Sequence, residues 1–285
     1  MRPGRAIIVM LVLVGLTAGF THRSAAAHQK PPQYKVYAIR YATLVDFPLG
    51  ELVPGADSAA RIDATMMVWL LQGPGKRTVL VDAGFYRDGV SEDYKVGDFQ
   101  RPSDALDSMG VPAASVTDII VSHVHWDHLD GVDLFPNATI WIQRAEWQYY
   151  VGPKGEALHG DISAVDAAML VKLQAEGRVR LVEGDDQEII PGIRVYTGGR
   201  HTYASQYAGV QTRSGTVIIA SDNVYLYENI DRHLPIGTTF DATANLAAQD
   251  RMLGLASARK LVIPGHDPAV FERFPLVRPG VVRID

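Results

Sequence analysis

The sequence predicts an α/β domain with mixed sheets, helices on the outside and loops gathered at one edge. Three observations predict it. From Tyr34 onward, β-rich apolar runs are interleaved with helical stretches. No internal repeat of roughly 20–50 residues breaks this order, and there is no low-complexity tract. Apolar residues make up 47% of the 285 and charged residues 21%, the ordinary balance of a chain that buries a sizeable core.

In chain order, the first residues stand apart. Arg2 and Arg5 precede an uncharged, mostly apolar run over 6–20, and Ala25, Ala26 and Ala27 follow it. This is the layout of a secretory signal peptide over 1–27, cleaved after Ala27. The apolar run is shorter than the ~20 residues a bilayer-crossing helix needs. The expectation is therefore a mature domain over 28–285, periplasmic or secreted, with no stable membrane insertion after cleavage. No twin-arginine pair is present, so the general export route is expected.

The mature chain opens on a short linker, HQKPPQ. YKVYAIRYATLV reads as a strand, and TMMVWLLQ and TVLVDAG read as a hairpin about Gly73, Pro74 and Gly75. The polar stretch between Asp46 and Asp63 and the stretch 85–102 read as loops of a length that often serves function. SDALDSMG reads as a capped helix ending at Gly110, VTDIIVSH as a buried strand, ATIWIQ as a strand and RAEWQYYV as a helix. Residues 162–176 read as an amphipathic helix. GRVRLVEG, GIRVYTG and GTVIIASD read as strands, 243–257 as a helix, and KLVIPGHD as a strand running into a loop.

Charge and residue usage exclude several functions. Removing 1–27 takes three Arg and no acid, which leaves a net charge near −8. That surface argues against nucleic acid and anionic membranes as partners. With no cysteine, there is no thiol nucleophile and no disulfide framework, and any metal must be held by His, Asp or Glu.

The densest chemical signal is Ser122-His123-Val124-His125-Trp126-Asp127-His128, which follows the apolar strand DIIVS. Residues two apart in an extended segment point the same way, so His123 and His125 project together. Asp127 and His128 follow where the chain turns and can aim at a second point. His201 in GGRHT, Asp222 at the end of GTVIIASD and His266 in PGHD each stand just beyond a strand. Five of the nine histidines lie in this pattern. Such ligand types suit zinc, iron, manganese or cobalt. Trp126 reads as a core or pocket-wall residue, His159 and His233 as surface residues, and Asp267 as a loop or supporting residue.

These motifs resemble those of the metallo-β-lactamase superfamily, whose first signature is His-x-His-x-Asp-His. The resemblance runs from Val81-Asp82-Ala83-Gly84 to Pro264-Gly265-His266-Asp267. It implies an αββα sandwich with the metal site at one edge. It also implies that His123, His125 and His201 bind one divalent ion, most simply zinc, and that Asp127, His128 and His266 bind another. Asp222 would bridge and Asp82 would steady the site. Within the superfamily the chain is most similar to the N-acyl homoserine lactonases. The segment Ile142-Gln143-Arg144-Ala145-Glu146-Trp147 resembles theirs, Asp222 stands where some β-lactamases place a cysteine, and Tyr225 follows Asp222 by three residues, as their tyrosine does. Arg200 departs from the glycine common before the third-motif histidine and is expected to reshape the pocket wall.

The activity this implies is opening of an acyl lactone or ester by a metal-bridging hydroxide. Two metals about 3.5–4 Å apart lower the pKa of shared water toward neutrality. Tyr225 would donate to the oxyanion, and Asp127 would pass a proton to the leaving alkoxide. Phe47, Leu49, Leu52, Phe85 and Tyr86, in the loops 44–62 and 85–102, would line an acyl groove. Three rivals remain: a β-lactamase, thioester or aryl ester hydrolase of the same fold; a nuclease, disfavoured by the acidic charge; and a non-catalytic binding protein, disfavoured because all seven ligands are present.

Overall fold

The computed structural model describes Met1, Gly4 and residues 31–87 and 94–285. Apart from Met1 and Gly4, the expected signal peptide over 1–27 lies outside the described residues. Pro31–Asp285 packs as one unit. Its strands are β1 (Lys35–Pro48), β2 (Arg61–Gln72), β3 (Thr78–Val81), β4 (Val96–Gly97), β5 (Asp118–Ile120), β6 (Thr139–Gln143), β7 (Val179–Val182), β8 (Gln187–Ile190), β9 (Ile193–Thr197), β10 (Gln206–Thr212), β11 (Gly215–Ser221), β12 (Val262–Pro264), β13 (Leu276–Arg278) and β14 (Val281–Arg283). One sheet runs β13-β14-β1-β2-β3-β5-β6-β7 with β4 paired to β1, and the other runs β12-β11-β10-β9-β8.

Alternate side chains of the central strands enter different cores, as a period of two requires. Met67, Trp69 and Leu71 of β2 meet Val195, Val210 and Ile219 of the second sheet in one core. Met66, Val68 and Leu70 of the same strand face the other way, against Leu106 and Leu170 from the outer helices. On the far side, Ile218 and Ala220 of β11 pack on Ala248 and Met252 of the helix Ala242–Leu255. Three stacked cores between four layers make an αββα sandwich. Strands buried on both faces must be apolar throughout, which is why β2 reads as the run MMVWLL.

This layering brings the strand ends together. β3, β5 and β6 are parallel neighbours in one sheet, and β11 and β12 are parallel in the other. Parallel strands finish at a common edge. Asp82 follows β3, Ser122 and His123 follow β5, Asp222 follows β11, and His266 follows β12. The turn after β9 carries His201.

Several expectations need correction. The loop between Asp46 and Asp63 is shorter, because β1 runs to Pro48 and β2 starts at Arg61, with the helical turn Leu49–Leu52 between. Likewise 44–62 is not all loop. The stretch 85–102 includes β4, and its residues 88–93 lie outside the described set. The helix expected over 103–110 spans Pro102–Asp107 and has no side-chain cap. Pro102 at its start needs none for its own nitrogen. The helix Ala164–Ala175, by contrast, is capped by Ser163, which accepts from the Asp166 amide.

Candidate metal centre

All seven side chains converge. They form two groups that share Asp222: His123, His125 and His201 on one side, and Asp127, His128 and His266 on the other. In the first group, His123 Nε2 and His201 Nε2 lie 3.0 and 2.9 Å from His125 Nδ1, and 3.8 and 3.4 Å from Asp222 Oδ2. In the second, His128 Nε2 lies 3.1 Å from Asp127 Oδ2 and 3.2 Å from Asp222 Oδ1. His266 Nε2 lies 3.0 Å from Asp222 Oδ1 and 3.6 Å from Asp127 Oδ2. The two oxygens of Asp222 thus face different groups.

The donor set fits divalent cations. His128 Nε2 and Asp222 Oδ1 are buried and have no hydrogen-bond partner among the described residues. Leaving such atoms unpaired costs about 1–3 kcal/mol each, a cost a cation between them would remove. The outward nitrogens are engaged as metal-binding imidazoles require. His128 Nδ1 is 2.8 Å from Asp82 Oδ2, His201 Nδ1 is 2.9 Å from the Thr238 carbonyl, and His266 Nδ1 is 3.1 Å from the Thr65 carbonyl. His123 Nδ1 meets Ser122 Oγ at 2.8 Å, and Ser122 and Ser221 both donate to Asp82 Oδ2. An outward Nδ1–H leaves the Nε2 lone pair pointing inward. His125 is turned the other way, with Nδ1 inward and Nε2 4.0 Å from Asp161 Oδ1.

The backbone is bent to achieve this. Asp82 and Ser221 both have positive φ, 60° and 47°, a left-handed conformation that costs a non-glycine residue about 1–2 kcal/mol. Strain of this kind collects where geometry serves a site. At Gly265 a Cβ would stand 2.6 Å from Asp222 Oδ1, so the residue before His266 can carry no side chain.

The two groups differ in their fields. In the first, burial and then the neighbouring imidazoles push His123 well below its ordinary pKa, and burial followed by His125 lowers His201 to about 4. In the second, burial opposes charge on His128, yet Asp127, Asp222 and Asp82 together hold its pKa well above the ordinary value. His266 is raised by Asp222 and Asp127 against burial. Asp222 is itself held well below the carboxylate range, because His128 and His266 overcome the burial penalty.

Tyr225 is buried at the site, its hydroxyl 3.3 Å from His201 Nδ1. Burial first, then Asp222 and Asp127, push its pKa well above 10, so the phenol remains a donor. The pocket over the site encloses about 320 Å³ and is walled by Leu44, Phe47, Leu52, Met66 and Trp126. Of the five residues expected to line a groove, Phe47 and Leu52 do so. Leu49 is half-buried against the core. Phe85 is buried between Tyr41, Phe99 and Trp126, and Tyr86 turns to Asp130 and Asp133. Arg200 stands in the left-handed region, with φ of 59°. Its guanidinium lies over Tyr203, 5.3 Å from the ring centroid, and it is absent from the pocket lining. His159 and His233 are exposed, stacked on Tyr149 and paired with Asp250 respectively. Asp267 accepts from the Tyr227 and Ala269 amides.

The sequence reading named Glu146 only as part of a resembling segment. It is buried and accepts from the Val124 amide, between the first two histidines, and from Thr202 Oγ and the Ala204 amide, just past His201. Burial raises its pKa to about 7 against those three donors. One carboxyl therefore ties the first-motif loop to the third. A lone glutamate in a helix otherwise exposed on its polar side carries no such signal in sequence.

An αββα sandwich with two His/Asp groups sharing a carboxylate at its edge defines a class of metal-dependent hydrolases. Residues 67–267 match the family model of the metallo-beta-lactamase superfamily, and the chain belongs to it. An N-acyl homoserine lactonase from Bacillus sp is 27% identical over 224 residues, 72% of this chain and 82% of that protein. The fold is similar to a crystal structure of a quorum-quenching N-acyl homoserine lactone lactonase, at TM-score 0.72 and 22% identity, covering 89% of this chain and 99% of that one. It is also similar to an N-acyl homoserine lactone hydrolase with the product N-hexanoyl-L-homoserine at its catalytic metal centre, at TM-score 0.71 and 21% identity, covering 89% of this chain and 100% of that one.

Proposed function

We propose that the chain is an exported dinuclear hydrolase that opens the ring of a neutral acyl lactone of the N-acyl homoserine lactone type. The observation that carries this is the position of Tyr225: a protonated phenol beside His201, under an apolar wall, at the shared carboxylate of two ligand groups. The names of similar proteins support the substrate class.

His123, His125, His201 and Asp222 would hold one divalent cation, and Asp127, His128, His266 and Asp222 the other. Zinc, one of the ions these donors suit along with iron, manganese and cobalt, is the one the family resemblance favours. When bound, the pair supplies Lewis acidity toward a carbonyl oxygen and lowers the pKa of water toward neutrality. The chain's own groups supply the rest. Leu44, Phe47, Leu52, Met66 and Trp126 hold an acyl chain and exclude water. Tyr225 donates its O–H to the carbonyl oxygen as negative charge grows there. Asp127, lining the same pocket, would take up the proton given up by the attacking water and pass it to the alkoxide released when the ring C–O bond breaks. Export rests on Arg2, Arg5, the apolar run and the alanines at 25–27. An N-terminus at His28 in the secreted protein would support it, and an intact Met1 would oppose it.

The test is ring opening followed by pH-stat, with zinc-loaded and chelator-treated protein side by side. A panel of acyl lactones, β-lactams and aryl esters is supplied. Acyl lactones should be the fastest substrates, and chelation should abolish turnover. A β-lactam or aryl ester turned over tenfold faster than any lactone would overturn the substrate assignment.

A further inference from the structure

The pocket has a charge pattern that cation binding does not require. Among the described residues lining it there is no Lys or Arg, yet two carboxylates outside the ligand groups, Glu51 and Asp161, stand in its wall. Lys95 lines the adjoining groove beyond Phe47 and Tyr94 rather than the pocket, and Glu51 is shared by both.

The backbone that carries Glu51 and the carboxylate of Asp161 are held in place. Glu51 lies in the turn Leu49–Leu52, whose last carbonyl accepts from the Gly237 amide at 3.2 Å and from Asn229 Nδ2 at 3.1 Å. A Cβ at Gly237 would overlap the Glu51 carbonyl. The same loop supplies the Thr238 carbonyl that orients His201, so Glu51 is built into the frame of the site. Its charge is felt at Tyr225, as a smaller contribution after burial, Asp222 and Asp127. Asp161 receives the Tyr150 hydroxyl at 2.8 Å and stands 4.0 Å from His125 Nε2.

We propose that Glu51 and Asp161 act as a charge filter, admitting neutral or cationic acyl substrates and rejecting those that carry a carboxylate. The inference rests on the hydrolase reading above and narrows its substrate class. It disfavours β-lactams that bear a free carboxylate beside the ring.

The experiment uses the full mature chain loaded with zinc and three aryl esters matched in length, with acyl tails ending in methyl, ammonium or carboxylate. A matched acyl lactone is run beside them. The anionic ester should be slower than the neutral one in kcat/KM by about three- to tenfold, the size of a charge interaction over roughly 8 Å in a partly solvated site. The gap should widen as salt is lowered. Glu51→Gln should narrow the anionic-to-neutral ratio, and Glu51→Lys should close or invert it. Glu51 is exposed, so these variants fold. Calorimetric binding of hexanesulfonate, an anion with little affinity for zinc, against the neutral hexyl methyl sulfone should give the same ranking without turnover. An anionic-to-neutral ratio that is equal in all three proteins, in both kinetics and binding, overturns the filter. Absence of lactone turnover with the ester and binding ratios intact removes the lactone assignment and supports the filter.

Discussion

The two ligand groups share one aspartate but are built on opposite principles. The group of His123, His125 and His201 is a nest of three imidazoles whose pKa values are lowered first by burial and further by neighbouring imidazoles, His128 among them. It opens to solvent at His125, whose side chain is 21% exposed. The group of Asp127, His128 and His266 is closed and rich in charge. Asp82, Asp127 and Asp222 surround His128. A neutral nest accepts a cation with little proton release. A charged nest must shed protons first, because ligands bind in their deprotonated form. Both halves line the pocket, His125 and His201 from the first and Asp127 and His266 from the second, so a neutral nest and a charged one stand side by side on its floor.

Removing the element common to both halves should have the largest effect. Asp222→Ala takes an oxygen from each group and should lower turnover by on the order of a thousandfold or more, a loss of at least about 4 kcal/mol of barrier reduction. Elemental analysis should show both ions diminished. Loss of only one ion would mean that Asp222 does not bridge.

Tyr225→Phe comes next. Deleting one donor to a developing oxyanion costs about a hundred- to thousandfold in turnover, with two ions per chain retained. Unchanged turnover would remove Tyr225 from the chemistry.

Asp82→Asn acts directly on the closed half, through His128, and on the open half only at one remove, through Ser122 and His123. Removal of such a supporting partner weakens cation affinity by about 10- to 100-fold. Competition with a graded chelator should show one ion leaving well before it does in the parent and the other shifted less. Equal weakening of both would erase the distinction between the halves.

The smallest effect is on pH dependence. His128 and His266 have folded pKa values above the ordinary 6.5. In metal-free protein they add stability that is fully present below about pH 6.5 and is lost as pH rises through their folded values. The melting temperature of the chelated protein should fall as pH rises above neutrality, while the zinc-loaded protein should not follow it. A chelated protein stabilised by rising pH would contradict the assigned fields.

The contrast between the halves also explains what the sequence could convey. Ligand positions were legible because His123 and His125 are two apart at a strand end, and because His201, Asp222 and His266 each stand past an apolar run. The outward partners of the histidines were not. The Thr65 and Thr238 carbonyls are backbone atoms that any residue could present, Ser122 meets Asp82 across neighbouring strands of one sheet, and Ser221 joins them only after the two sheets are stacked. β10 went unseen because QYAGVQT carries a glycine and two glutamines, although it is buried along nearly its whole length. Phe85 and Tyr86 were misplaced because a loop aromatic looks the same in sequence whether it faces a pocket or fills the floor beneath it.

The central claim is that these seven side chains grip a pair of cations about one carboxylate. The most direct test is metal content of the purified mature protein after reconstitution with excess zinc and removal of the unbound ion. The account predicts two ions per chain. One ion or none, in protein that remains folded, would contradict it.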